Sequence, residues 1–250
     1  MVFHWYGFII GVAVISALTL AERTAKRAHI PDSVFSHLSW SVISAGFIGA
    51  RAWHIVTDFA VYRTAPLSAV FAVWNGGMSI IGALLAGAAT LGFLYWKKPE
   101  YRQYIPKYLD ALTVPLAIGQ IIGRVANAVN YELYGLPTSL PWAIYIPPAF
   151  RLESVQSSEY FHPLFAYEMV GVALIIAVPQ NRQALLRYLL AYAVLRFFLD
   201  FFRIERGVVY ATMGVNQIVL LLVISVLCII WYYMRTRYKT HEKVSHHTAH

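Results

Sequence analysis

Four polar residues interrupt an apolar run near the middle of this 250-residue chain. They are Arg124, Asn127, Asn130 and Glu132, within the stretch Gly123-Arg-Val-Ala-Asn-Ala-Val-Asn-Tyr-Glu-Leu-Tyr-Gly-Leu-Pro-Thr138. Placing such groups at the end of a hydrocarbon-buried segment is expensive, so they mark a site of function by default. Gln120, Arg124 and Asn127 fall at i, i+4 and i+7, on one face of a helix. A second stripe follows at i, i+4, i+8 and i+11: Tyr192, Arg196, Asp200 and Arg203. Stripes of this kind should face a bundle interior or a polar cavity rather than lipid tails. Two of them with opposed guanidinium groups make a pocket suited to a phosphate, whose oxygens they grip bidentately.

The energetics sharpen that expectation. An arginine at mid-bilayer costs about 2.5–3.5 kcal/mol on insertion scales, so Arg51, Arg124, Arg196 and Arg203 together cost on the order of 10 kcal/mol without relief. Snorkelling to the headgroup level, or pairing with Asp200, Glu132 or Glu168, would account for any one of them. A bound anion would relieve several at once.

The elements that must hold these residues are membrane helices. At 59% hydrophobic and 13% charged, the chain has about half the charged fraction of a soluble domain. Seven segments approach the roughly 20 apolar residues of a span: 3–21, 34–57, 75–96, 108–130, 162–180, 184–203 and 213–234. The first has no basic residue before it and no small-residue cleavage site after it, which predicts a retained helix rather than a signal peptide. The predicted fold is an all-α integral membrane protein of about seven transmembrane helices. Residues 1–240 would form one polytopic domain with an outer loop at about 131–161, and 241–250 a cytoplasmic tail.

Basic residues orient it. Arg23, Lys26 and Arg27 follow span 1, and Lys97, Lys98, Arg102 and Lys107 follow span 3. Arg182 and Arg187 flank the connection between spans 5 and 6. Arg235, Arg237, Lys239 and Lys243 follow span 7. Every lysine is therefore on one face, which the positive-inside rule makes cytoplasmic, with the N-terminus outside. The net charge of +8 needs no nucleic-acid partner; it is mostly this signal plus attraction to anionic membrane lipid. Arg51, Arg124, Arg196 and Arg203 then crowd the outer leaflet side.

Other features bound the chemistry. There is no CxxC or HExxH motif, so neither a metal nor another cofactor is expected. The lone Cys228 reads as a packed apolar residue. Gly76 and Gly77 open span 3 and could free backbone N–H groups for an anion. The small residues from there to Gly87 fit close helix packing equally well. The loop at 131–161, rich in proline and aromatic residues, is either a cover over the pocket or a solvated connector. The histidine-bearing tail His241–His250 reads as disordered.

Further motifs run along the chain in order: Trp5-Tyr6-Gly7, Gly49-Ala50-Arg51 and Gly76-Gly77-Met78-Ser79. The signature Gly123, Arg124, Asn127, Asn130, Glu132, Gly135 follows, with Pro137-Thr138 and Pro141-Trp142 beyond it. Then come His162-Pro163, Tyr167-Glu168, Tyr192, Arg196-Phe197, Arg203, Met213-Gly214 and Gln217. Nearly the whole chain thus resembles the bacterial prolipoprotein diacylglyceryl transferases. The resemblance implies a multi-pass enzyme of the bacterial cytoplasmic (inner) membrane, its site facing the outer leaflet. It would transfer the diacylglyceryl unit of phosphatidylglycerol to the lipobox cysteine thiol in the signal peptide of a prolipoprotein, releasing glycerol phosphate.

By that resemblance Arg124 and Arg196 bind and stabilise the phosphate. Asn127 holds the headgroup or orients Arg124, and Glu132 and Asp200 position the arginines. Tyr6 and Tyr192 hydrogen-bond in the pocket, and Arg51 and Arg203 line the approach to it; Gly76, Gly77, Gly135 and His162 complete the substrate-binding set. Departures from the family pattern accompany these matches. Ile81 stands where the family's Gly-Gly-Met-Ser-Phe-His-Gly-Gly has its histidine, Leu164-Phe165-Ala166 replaces Ser-Gln-Leu, Ala128 replaces a phenylalanine and Asp200 a glutamate. A thiol with pKa about 8.5 needs only about 2 kcal/mol to supply its thiolate, whereas one contact to the developing leaving group is worth about 3–4 kcal/mol. Tyr6, Glu132 or His162 would then serve as base. The alternatives are a paralogue acting on another acceptor and a non-catalytic phospholipid-binding membrane protein.

Overall fold

The computed structural model describes residues 5–179, 183–205, 208–210 and 213–247; Arg182 and Arg206 lie outside them. The chain is a multi-helical integral membrane protein. It divides into two compact units, one of Met1–Ala21 with Asp110–His250 and one of Glu22–Leu109.

A helix occupies each expected segment. Helix α1 is Trp5–Arg27, and α2, Asp32–Thr57, begins directly after Pro31 with Asp32 in its first turn, where a carboxylate complements the helix dipole. Two single turns follow, α3 (Phe59–Tyr62) and α4 (Ser68–Phe71). Helix α5, Ile80–Lys97, starts after Gly76 and Gly77, whose φ values of 84° and 75° suit glycine. Then come α6 (Ile105–Ala111) and α7 (Thr113–Val129). Pro163 precedes α8, Leu164–Ala177. Helices α9 (Ala184–Leu199) and α10 (Val215–His247) complete the set.

Four stretches are long and apolar enough to cross a membrane: α1, α5, residues 105–129 and the part of α10 from Val215 to Met234. Four of the seven expected spans meet that standard among the described residues, and the other three fall short for physical reasons. Helix α8 has only 14 residues and α9 only 16, and α2, though 26 residues long, carries Asp32, His37, Arg51 and His54 among several serines. Side chains such as Ile15, Ile80, Leu84, Leu222 and Ile229 are more than 60% exposed, a surface that hydrocarbon rather than water satisfies.

Within the second unit, α2 packs along α5. A Cβ on Gly49 would sit 2.6 Å from the Gly82 carbonyl oxygen, and one on Gly82 would collide with Gly49 and Trp53; the small-residue spacing does serve close packing. Within the first unit, α7, α8 and α9 enclose Ala117, Val172 and Tyr188. Asp110 tightens this packing: its carboxylate accepts the Gln183 and Leu185 backbone N–H groups at 3.0 and 3.3 Å, capping α9 from another helix.

Three local expectations change. The loop at 131–161 has its own small core of Tyr134, Ile146 and Phe161 and a two-stranded antiparallel ribbon, β1 (Ile144–Tyr145) with β2 (Tyr160–Phe161). A second ribbon joins β3 (Val208–Tyr210) to β4 (Met213–Gly214). Cys228 is exposed on α10 rather than packed, since its neighbours on that helix also face outward. Helix α10 continues to His247 because the tail contains neither glycine nor proline to stop it; residues 248–250 lie outside the described residues.

Candidate functional site

The polar stripes of α7 and α9 meet on a residue from α8. Glu168 is 1% exposed and lies one turn into a helix that starts at Leu164. Its Oε1 accepts three hydrogen bonds at 2.8 Å, from Gln120 Nε2, Arg124 Nη2 and the Tyr192 hydroxyl. Its Oε2 accepts a longer one, 3.3 Å, from Arg196 Nη1. Tyr188 supports the cluster from below by donating to Gln120 Oε1 at 2.6 Å. Its ring stacks on Tyr192 with the planes 6° apart.

The signature stretch extends the network toward the loop. Arg124 Nη1 donates to Asn127 Oδ1 at 2.9 Å, and Asn127 Nδ2 donates to Glu132 Oε2 at 2.9 Å. Asn130 Nδ2 reaches Glu132 Oε1 at 3.1 Å. The chain makes this possible by turning sharply after α7: Tyr131 and Leu133 have φ values of 55° and 54°, and the Glu132 N–H returns to the Asn127 carbonyl at 2.8 Å. Left-handed backbone at non-glycine residues persists only where its surroundings hold it, and such positions gather at functional sites.

Two guanidinium groups therefore share one carboxylate, Glu168. Arg124 is committed to Asn127 and Glu168. Arg196 makes one long bond and also lines a cavity of about 240 Å³ with Arg203, Glu132, Glu205, Tyr134 and Phe150 among its walls. Arg203 lies 3.8 Å from Asp200. Asp200 is 1% exposed, and neither of its oxygens accepts a hydrogen bond from the described residues. A buried carboxylate without donors calls for an explanation; a counter-charge for the arginines around the cavity is the one its position offers.

The remaining predicted residues fall elsewhere or serve differently. Gly135 is where the loop comes closest to its supports: a Cβ there would lie 2.6 Å from the Phe202 carbonyl oxygen and 2.8 Å from Leu164. Its N–H donates to the His162 carbonyl and that of Leu136 to Phe202, both at 2.8 Å. The His162 ring packs on Phe202, with Nδ1 3.0 Å from the Tyr167 hydroxyl, which in turn accepts from Trp142 Nε1 at 2.7 Å. Tyr6 is 39% exposed on α1 and makes no hydrogen bond to the cluster.

Arg51, Gly76 and Gly77 meet one another in the second unit. Arg51 is 8% exposed and its guanidinium donates to four backbone carbonyls, those of Ala69, Val70, Gly76 and Gly77. A Cβ on Gly77 would strike both Arg51 and His54, so glycine there is required for the approach. Arg51 thus ties the backbone of α4 to that of the glycine pair before α5. Ile81 is 54% exposed at the start of α5.

Glu168 is the central residue missing from the site set read from sequence. A lone acid within Leu-Phe-Ala-Tyr-Glu-Met-Val-Gly-Val-Ala-Leu-Ile-Ile-Ala carried the signal, because an ionisable residue in an apolar helix marks a site just as the arginines do. Gln120 was visible on its stripe, and Tyr188 precedes Tyr192 by one turn on the other.

The model for the family described as prolipoprotein diacylglyceryl transferase matches residues 1–233. The chain belongs to this family. Relatives named phosphatidylglycerol–prolipoprotein diacylglyceryl transferase include one from Prochlorococcus marinus (strain NATL1A), 30% identical over 230 residues, covering 81% of this chain and 75% of that protein. One from Synechococcus sp. (strain CC9902) is 37% identical over 168 residues, covering 67% and 58%. One from Fervidobacterium nodosum is 32% identical over 212 residues, covering 81% and 71%. Family membership accounts for the order of the motifs along the chain. The contacts around Glu168 give a physical reason for several of them: Arg124, Asn127, Glu132, Tyr192 and Arg196 form one connected network in this family member.

Proposed function

We propose that this chain transfers the diacylglyceryl group of phosphatidylglycerol to the lipobox cysteine thiol of prolipoproteins in the bacterial inner membrane. The convergence of Arg124 and Arg196 on buried Glu168, beside a cavity that Arg196 and Arg203 also line, carries this proposal. The substrate's phosphodiester lies against Arg196 and Arg203. The cysteine thiol gives up its proton to a pocket base or to water, and the thiolate sulfur attacks the glyceryl carbon that bears the phosphate; an S–C bond forms, the C–O bond breaks, and its electron pair leaves on the phosphate of glycerol phosphate. Guanidinium donors already in place where that charge develops are the effective kind of stabilisation. Asn127 and Glu168 hold Arg124 in line, Glu132 fixes Asn127, and Tyr192 orients Glu168. No metal or organic cofactor enters these steps. Arg51 sets the backbone that opens α5, and Tyr6 is left as a candidate proton acceptor or pocket hydroxyl.

We further propose that α2, α8 and α9 also insert, giving seven spans with the N-terminus outside and the site toward the outer leaflet. The lysine distribution supports that orientation. The reaction is tested with purified protein in liposomes, labelled phosphatidylglycerol and a lipobox cysteine peptide. Transfer should require the thiol and fall at least about a hundredfold in Arg196→Ala, the scale of losing one preorganised donor, and comparably in Arg124→Ala, which takes from Glu168 the 2.8 Å partner that holds it in place for Arg196. Near-normal transfer by both variants would sink the assignment. One observation favours a second reading: Ile81 occupies the position of the family's histidine. Lipid binding that depends on Arg124 without any transfer would identify a repurposed phospholipid-binding member or one acting on another acceptor.

A further inference from the structure

The cavity beside Arg196 carries charge of both signs. Arg196 and Arg203 contribute to its wall, and so do Glu132 and Glu205. Glu132 already accepts from Asn127 and Asn130. Glu205 is exposed and makes no hydrogen bond or ion pair with the described residues. A simple anion is poorly matched to such a site, because both carboxylates would repel it. The complementary ligand has an anionic group for the arginines and, a few bonds away, groups that donate hydrogen bonds to carboxylate oxygens. The glycerol headgroup of phosphatidylglycerol has that pattern, a phosphodiester at one end and two hydroxyls at the other.

We infer that Glu205 is a specificity residue that accepts hydrogen bonds from the headgroup hydroxyls, with Glu132 as its neighbour, so that this cavity selects a phosphate bearing a diol. The inference rests on the phosphatidylglycerol proposal above and adds to it the residue that tells this lipid from others. Its physical basis is that the bound headgroup covers Glu205, so an analogue without hydroxyls takes the carboxylate out of water and leaves it unpaired.

The test compares three lipid donors with the same cysteine peptide: phosphatidylglycerol, phosphatidylpropanol, which keeps the phosphate and the three-carbon headgroup but lacks both hydroxyls, and phosphatidylethanolamine. The wild-type protein should prefer phosphatidylglycerol over phosphatidylpropanol in kcat/KM by about ten- to a hundredfold, the scale of a hydrogen bond to a charged group. Glu205→Ala should reduce that ratio about tenfold or more, chiefly through KM, and Glu205→Gln by less. A merely structural role would move both lipids together and leave the ratio where it was, which would overturn the inference. Equal use of phosphatidylethanolamine and phosphatidylglycerol would also overturn it, by assigning the carboxylates to a cation. Absence of transfer from every donor refutes the proposed reaction instead. The inference is then decided by binding of phosphatidylglycerol and phosphatidylpropanol in nanodiscs: a preference lost in Glu205→Ala upholds it, and equal binding refutes it.

Discussion

Removing the charge of Glu168 should both loosen this protein and disable it, and two substitutions separate the reasons. In Glu168→Ala, Arg124 and Arg196 lose the carboxylate that neutralises them. Breaking a buried ion pair by removing one partner costs about 3–5 kcal/mol. Here the carboxylate side chain is 2% exposed while the two arginine side chains retain 23% and 19%, so partial hydration places the ionic part at the low end, about 3 kcal/mol. The orphaned Gln120 and Tyr192 donors add about 1 kcal/mol each, giving roughly 5 kcal/mol. Glu168→Gln keeps an oxygen for the three donors now on Oε1, but turns an amide N–H₂ toward Arg196 Nη1. Its expected cost is about half as large, because charge-assisted bonds become neutral ones. Reversible unfolding in mixed micelles, followed by circular dichroism, measures both. Transfer should fall at least about a hundredfold in each, since Arg196 loses the carboxylate that tethers it. Stabilities of both variants within about 1 kcal/mol of wild type would refute the account of Glu168 as the hub. Equal losses in the two would reduce it to a counter-charge with no geometric role.

Two more outcomes follow from the second unit. Arg51→Ala removes the guanidinium donor from four carbonyls, of which Ala69 alone is known to keep another, the Ala72 N–H, and should cost about 3 kcal/mol locally. Hydrogen exchange at the Ser79 amide, which is bonded to the Ala50 carbonyl, should accelerate about a hundredfold, and unchanged protection would refute the role. Gly82→Ala should destabilise by about 1–3 kcal/mol, because its Cβ would collide with Gly49 and Trp53. Gly92→Ala in the same helix, where nothing lies within 4 Å, should instead stabilise by up to about 1 kcal/mol; thermal unfolding of the pair tests the opposite signs.

Local spacing makes part of the site legible in the amino-acid sequence. The Arg124–Asn127 bond is an i, i+3 contact on a helix, and Glu132 lies close enough along the chain for both asparagines to reach it. The helix positions follow from hydropathy. Asp200, Glu132 and Glu168 are legible as possible partners of the arginines, but which of them unites the stripes is not, because Glu168 is separated by 44 residues from Arg124 and by 28 from Arg196, and periodicity describes one helix at a time. Arg51 illustrates a different limit. An arginine near a helix end reads equally well as an anion ligand or as a donor to backbone carbonyls, and only the fold of residues 69–77 decides between them. The packing of Gly135 against Phe202 and Leu164 is likewise invisible, since a glycine in a turn gives no sign of what approaches it. Reading the loop at 131–161 as connector or cover also misses its own small apolar core, whose members lie far apart along the chain.

The brevity of α8 has a consequence for the membrane itself. Fourteen residues rise about 21 Å, short of the roughly 30 Å hydrocarbon layer. A short helix is accommodated by a local pinching of the bilayer or by water and headgroups dipping toward its ends. With α8 inserted as proposed and Glu168 only one turn from its start, the aqueous phase would be drawn down to the level of the arginines. A phosphate can then reach them without its headgroup being dragged through oil, and a released glycerol phosphate has only a short climb back to water.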